Sequence, residues 1–106
     1  MIFEGGYVWV SSNHRSQATL TRYDPTDGTA LEITVDHCLN DLVLYDGSLW
    51  ALDFCGKAVH SFDAETLDKK SSVSLDSHPS ALTVSDGLIW VHRERDIVRV
   101  DPQTAR

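Results

Sequence analysis

The sequence predicts an all-β fold built from a repeat of about 40 residues. Three tryptophans lie in the same local setting, each three residues after a glycine, and they are spaced by 41 and 40 residues: Trp9, Trp50 and Trp90. An aspartate follows each tryptophan at a similar distance, as Asp24, Asp63 and Asp101. Repeats of this length, made of short strands, are typical of β-propeller blades. We therefore expect a partial β-propeller of about two and a half four-stranded antiparallel blades.

One complete period shows the strands of such a blade. Asn40–Leu44 is a mostly apolar stretch suited to an inner strand, and Asp46-Gly47 is a strong hairpin signal because both residues tolerate positive φ. Ser48–Leu52, Ala58–Phe62 and the more polar Ser71–Leu75 complete the blade. No segment sustains the 3.6-residue period of an amphipathic helix, so we expect essentially no helix.

The periodic residues have structural interpretations. Strict spacing favours tryptophans that pack between blades over a platform for stacking a ligand. The three aspartates begin turns, where their carboxylates accept backbone hydrogen bonds, and they lack the converging oxygens that calcium needs. His60 lies within a strand and is expected to pack there or to lie at an edge.

The positions at which the repeat starts and stops make the 106 residues a single incomplete propeller segment. We expect part of a blade at 1–35, a full blade at 36–75 and part of a blade at 76–106, with Ile2-Phe3 as a remnant of a first strand. Closed propellers use roughly 4–8 blades, so further blades or self-association are expected to cover the open ends. A fragment of a larger propeller is favoured over several copies that complete a ring.

Composition and charge narrow the classes of partner. Hydrophobic residues make up 42% and charged residues 24%, as in a soluble globular domain. The net charge of −7 disfavours nucleic acid and anionic membranes as partners, and no apolar run approaches the length of a membrane helix. The first residues show no basic region followed by an apolar one, so a cytoplasmic location is expected if Met1 is the genuine start.

Two motifs connect the chain to a known repeat family. Gly87–Val91 reads "glycine, apolar, apolar, Trp, Val", and Val98–Thr104 contains "Val-Asp-Pro-x-Thr"; Ser77–Leu82 fits the entry to an inner strand. Together they resemble the YVTN-type and virginiamycin B lyase-like β-propeller repeats over nearly the whole chain. The resemblance implies a propeller fold and either a binding role or a streptogramin lyase activity that uses magnesium and a histidine base. No stretch matches a catalytic motif of those lyases residue by residue.

Loops after the second and fourth strands of each blade should share one rim, because antiparallel strands return to the same end. Histidines fall on this rim and are candidate ligand-binding residues: His14, His37, His78 and His92. A site for acid–base or metal-assisted chemistry would use them with Glu94 as the carboxylate, and His92 and Glu94 are the candidate catalytic residues. The alternative is an ordinary polar surface, since the histidines do not recur in register.

We favour a non-catalytic scaffold that binds a protein or small molecule and needs no cofactor. The alternative is a metal-dependent lyase-like enzyme, for which magnesium would be required. Cys38 and Cys55 flank the first hairpin of the full blade. They form a disulfide if the protein is exported and remain thiols in a reducing compartment, and the sequence leaves both open.

Overall fold

The computed structural model of the chain describes residues 2–14, 17–35, 38–75, 78–93 and 96–101, with the backbone alone at Glu4 and His14. These residues form eleven β-strands and no helix. The strands are β1 Ile2–Glu4, β2 Tyr7–His14, β3 Gln17–Tyr23, β4 Ala30–Val35, β5 Leu39–Tyr45, β6 Ser48–Asp53, β7 Ala58–Asp63, β8 Lys69–Ser74, β9 Pro79–Ser85, β10 Leu88–Arg93 and β11 Ile97–Val100.

The strands form three antiparallel meanders in chain order. The first sheet contains β1–β4, the second sheet β5–β8 and the third sheet β9–β11. The expected all-β architecture is confirmed. The first sheet has a first strand of its own, because Ile2 pairs with Trp9 and Phe3 with Val8 along β1 and β2.

Each sheet has two faces, which alternate along a strand with a period of two residues. We call the face that carries the repeated tryptophan the trailing face, and the opposite face the leading face. Trp9 is paired across β2 and β3 with Arg22, so both side chains lie on the trailing face of the first sheet. Trp90 and Arg99 form the same cross-strand pair in the third sheet.

Two apolar clusters hold the three sheets against one another. The first cluster packs Trp9 and Leu20 of the first sheet against Leu49, Phe62 and other leading-face residues of the second sheet. The second cluster repeats the arrangement one sheet later, with Trp50 and Val59 against Ile89, Val91 and Val100. The trailing faces of the first and second sheets are therefore each covered by the leading face of the next sheet.

Polar contacts at the inner strands fix the register between sheets. The Asn13 side chain donates to the Leu39 carbonyl and accepts from the Leu39 amide, both at 2.9 Å. One sheet later, Asp41 Oδ2 accepts from the Leu82 amide at 2.8 Å. These bonds satisfy inner-strand backbone groups that lie next to the junctions, where an unpaired group would be costly.

The turns follow the expected chemistry. Asp46-Gly47 and Asp86-Gly87 have positive φ at both residues, as two-residue hairpin turns of the primed type require. Asp63 Oδ1 accepts from the Glu65 amide at 2.8 Å, and this bond together with a second from Thr66 holds the pKa of the carboxyl below its ordinary value. Within the described part of the chain, no helix is long and apolar enough to cross a membrane.

Candidate functional site

The three repeated tryptophans differ in what covers them. Trp9 and Trp50 are 1% and 2% exposed, because the next sheet packs over each indole ring. Trp90 is half-buried, and its Nε1 donates to the Ser85 carbonyl of its own sheet at 3.1 Å. The trailing face of the third sheet therefore presents the same packing residue as the other two sheets, but without a neighbour among the described residues.

A pocket of about 290 Å³ lies on this uncovered face. Its lining residues are Thr83, Ser85, Trp90, His92 and Ile97. Each of these residues has an equivalent in the repeat of the second sheet, where it packs against the third sheet. The equivalents, in the same order, are Val43, Tyr45, Trp50, Leu52 and Val59. The pocket is thus the place where a further sheet would pack, and three of its five positions have become more polar.

An aromatic pair marks the rim where the second and third sheets meet. The His78 ring stacks on Phe54 with centroids 4.8 Å apart and an interplanar angle of 24°. His78 Nδ1 also lies 3.0 Å from the Phe54 carbonyl oxygen, within hydrogen-bond distance. Phe54 is 47% exposed, so this contact joins the two sheets at the surface and leaves part of an apolar ring in solvent.

A buried polar network lies within the second sheet, next to the loop that carries Phe54. His60 Nε2 lies 2.9 Å from Asp53 Oδ2, and His60 Nδ1 lies 2.7 Å from Ser72 Oγ. Asp53 and His60 are 3% and 4% exposed. The carboxylate can only accept, so Nε2 carries the hydrogen in this contact. The network ties three successive strands of the second sheet together.

The other oxygen of Asp53 orders the rim loop of the second sheet. Asp53 Oδ1 accepts from the Gly56 amide at 2.8 Å and from the Cys38 amide at 3.3 Å. A side chain at position 56 would collide with this carboxylate, which explains the glycine. Cys38 and Cys55 form a disulfide, so the structure selects one of the two states that the sequence left open.

The predicted rim histidines do not share one described site. His78 contacts Phe54, whereas His92 is exposed and lines the pocket on the trailing face. His14 ends β2 with only its backbone described, and His37 and Glu94 lie outside the described residues. Among the residues that are described, no group of three or more His, Cys, Asp or Glu side chains could hold a metal ion.

The lyase-like alternative stays a prediction, because Glu94, the carboxylate that it would use with His92, lies outside the described residues. Sequence reasoning missed the Asp53–His60–Ser72 network, whose members have no common spacing in the chain. It expected open ends on the stack of sheets, and the structure adds which residues form one of these open faces, around Trp90.

Comparison with known proteins supports the fold and leaves the family open. No family model matches the chain, and no curated protein matches it. Apo AztD from Citrobacter koseri superposes with a TM-score of 0.74 at 16% identity, over 95% of this chain and 30% of that one. AztD and the two structures described in the next paragraph have propeller-type folds. The chain is a partial β-propeller.

Two further structures agree with this fold. Hsv2 from Kluyvelomyces marxianus gives a TM-score of 0.59 at 16% identity and covers 82% of this chain. Glutaminyl cyclase from Myxococcus xanthus gives 0.60 at 12% identity and covers 95%. The propeller segment spans 32% and 46% of these two chains, which is less than half of their length.

Proposed function

We propose that this propeller segment is an interaction scaffold whose contact surface is the trailing face of the third sheet. The observation that carries the proposal is the exposure of Trp90 at a position where Trp9 and Trp50 are buried by the next sheet. An uncovered face of this kind, centred on an aromatic ring, is typical of interaction surfaces.

The lining of the face indicates a protein partner. Ile97 is 55% exposed, and together with Trp90 it supplies apolar area, while Thr83, Ser85 and His92 offer polar groups around it. Aromatic and aliphatic anchors with a polar surround are the usual anatomy of a protein–protein contact. The proposal requires no cofactor, and the net charge of −7 argues against a phosphate-rich partner.

We also propose the YVTN-type and virginiamycin B lyase-like repeats as the finer family. Support comes from the place of the motifs in the sheet: Gly87–Val91 includes most of β10, and the aspartate of the second motif, Asp101, follows β11 directly. A binding role is favoured because no stretch of this chain matches a catalytic motif of the lyases residue by residue.

An apolar fluorescent probe tests the contact surface without knowledge of the partner. We expect 8-anilinonaphthalene-1-sulfonate to bind the trailing face of the third sheet saturably, at concentrations where sedimentation shows a monomer. Ile97→Asp should lower the fluorescence gain, because the carboxylate places a charge on the same face as Trp90.

The matched control is Ser74→Asp, which adds the same charge at an exposed position of β8 and should leave probe binding unchanged. Circular dichroism must show that both variants keep the β-sheet spectrum. Equal probe binding by the wild type and by Ile97→Asp would overturn the proposed contact surface.

A further inference from the structure

The trailing face of the third sheet has a complementary surface within the same chain, at the far side of the first sheet. Resting on the proposed function, we propose that the partner is a second copy of this chain, which docks the leading face of its first sheet on Trp90. The two copies then associate head to tail, as successive sheets do within one copy.

The first step of the argument is a repeated tryptophan–arginine pair. In the first sheet Arg22 lies beside Trp9, and its Nη1 donates to the carbonyls of Ala64 and Glu65 in the second sheet at 2.6 and 2.7 Å. The third sheet repeats the pair as Trp90 and Arg99, with Arg99 exposed. The second sheet carries Ser61 at that position, so the arginine is not a general feature of the repeat.

The second step is the turn that would meet Arg99. Turn 24–29 of the first sheet has the same hydrogen bonds as turn 63–68, which receives Arg22. In both, the first aspartate amide donates to the carbonyl five residues later, and the fifth residue's amide donates back to that aspartate's carbonyl, at 2.8–2.9 Å. Pro25 and Thr26 therefore correspond to Ala64 and Glu65, and their carbonyls are the matching acceptors for Arg99.

The third step is the apolar surface beside that turn. Val8, Val10 and Tyr23 lie on the leading face of the first sheet, at the positions where Leu49, Ala51 and Phe62 cover Trp9 one sheet later. Phe3 extends the surface and is 65% exposed, and Tyr23 is 43% exposed. A second copy thus offers Trp90 the same kind of cover that Trp9 and Trp50 receive.

The symmetry of this contact limits the assembly. A head-to-tail interface uses two different surfaces, so it forms a ring when the rotation closes and a filament when it does not. Two copies supply six sheets, three from each chain, and closed propellers contain roughly 4–8 blades. We therefore assign the closed dimer, in which both trailing faces of the third sheets are covered.

Charge sets the conditions in which the dimer should be sought. Each copy carries a net charge of −7, and the Arg99 contact is made to neutral carbonyls, which do not offset that repulsion. Added salt screens the repulsion between like charges, so the dissociation constant of the dimer should fall as ionic strength rises from low values. An association dominated by ion pairs would respond in the opposite direction.

Complementation of two surface variants tests the arrangement. By sedimentation equilibrium, the wild type should reach twice the 11.8 kDa of one chain. Ile97→Asp damages the trailing face and Tyr23→Asp the leading face, so each variant should be monomeric at the same concentration. An equimolar mixture should recover dimers, because each pair of unlike chains keeps one intact interface. Arg99→Ala should raise the dissociation constant at least about tenfold.

The outcomes separate this inference from the proposed function. A dimer of Tyr23→Asp beside monomeric Ile97→Asp would keep the trailing face as a contact surface and overturn the head-to-tail partner. A wild type that stays monomeric while binding the fluorescent probe would also keep the trailing face as a contact surface and overturn the head-to-tail partner. Ile97→Asp that remains dimeric would overturn both. Ser74→Asp, which is outside both faces, should dimerise like the wild type.

Discussion

Trp50→Ala is expected to lower the free energy of unfolding by about 3–5 kcal/mol, the range for removing a large aromatic side chain from a core. Trp50 is 2% exposed and packs against Ile89, Val91 and Val100 of the third sheet. The substitution removes the largest buried side chain of the cluster between the second and third sheets, so a cavity would remain unless the two sheets separate. Urea unfolding followed by circular dichroism measures the loss.

Two control variants isolate the packing effect. Trp90→Ala makes the same chemical change at the equivalent position, and in the monomer it should cost much less, because no further sheet of the described residues covers that ring. Trp50→Phe keeps most of the packing and also removes the indole Nε1, which has no hydrogen-bond partner among the described residues. Equal losses for Trp50→Ala and Trp90→Ala would contradict the stacking of the sheets.

His60→Ala is expected to destabilise the chain by about 3 kcal/mol, because it leaves the buried Asp53 carboxylate without its histidine partner. The rim loop should also loosen, since Asp53 Oδ1 holds the amide of Gly56. Chemical unfolding gives the energy, and backbone amide exchange at residues 54–57 reports on the loop.

His92→Ala is the control for this prediction, because it removes an exposed histidine from a strand of the third sheet, β10. Its effect on unfolding should stay within about 0.5 kcal/mol. Ser72→Ala should lie between the two, since it removes one hydrogen bond at an exposed residue and leaves the His60–Asp53 contact. A His60→Ala variant as stable as His92→Ala would show that the network contributes nothing.

Local patterns were sufficient to predict the strands and hairpins. Asp46-Gly47 and Asp86-Gly87 specify tight turns through their backbone conformations, and short apolar stretches between turn signals indicated the flanking strands. The spacing of the tryptophans then gave the order of the sheets, because an equivalent residue in each repeat must meet an equivalent neighbour.

The candidate site was harder to predict because it depends on contacts between distant positions. Asp53, His60 and Ser72 meet only when three strands pair in a particular register. The sequence likewise does not show that Arg22 donates to carbonyls 42 and 43 residues away. Without that contact, the equivalent role proposed for Arg99 could not be inferred. Loop composition suggested a shared histidine site on the rim, although it carries no information about the direction of the side chains.

Nuclear Overhauser contacts of the three indole rings test the central claim, that each sheet buries the tryptophan of the sheet before it. We expect Trp9 to show contacts to side-chain protons of Leu49 and Phe62, and Trp50 to those of Ile89 and Val100. In the monomer, Trp90 should show none to another sheet. Trp9 or Trp50 with contacts to its own sheet alone would contradict the account.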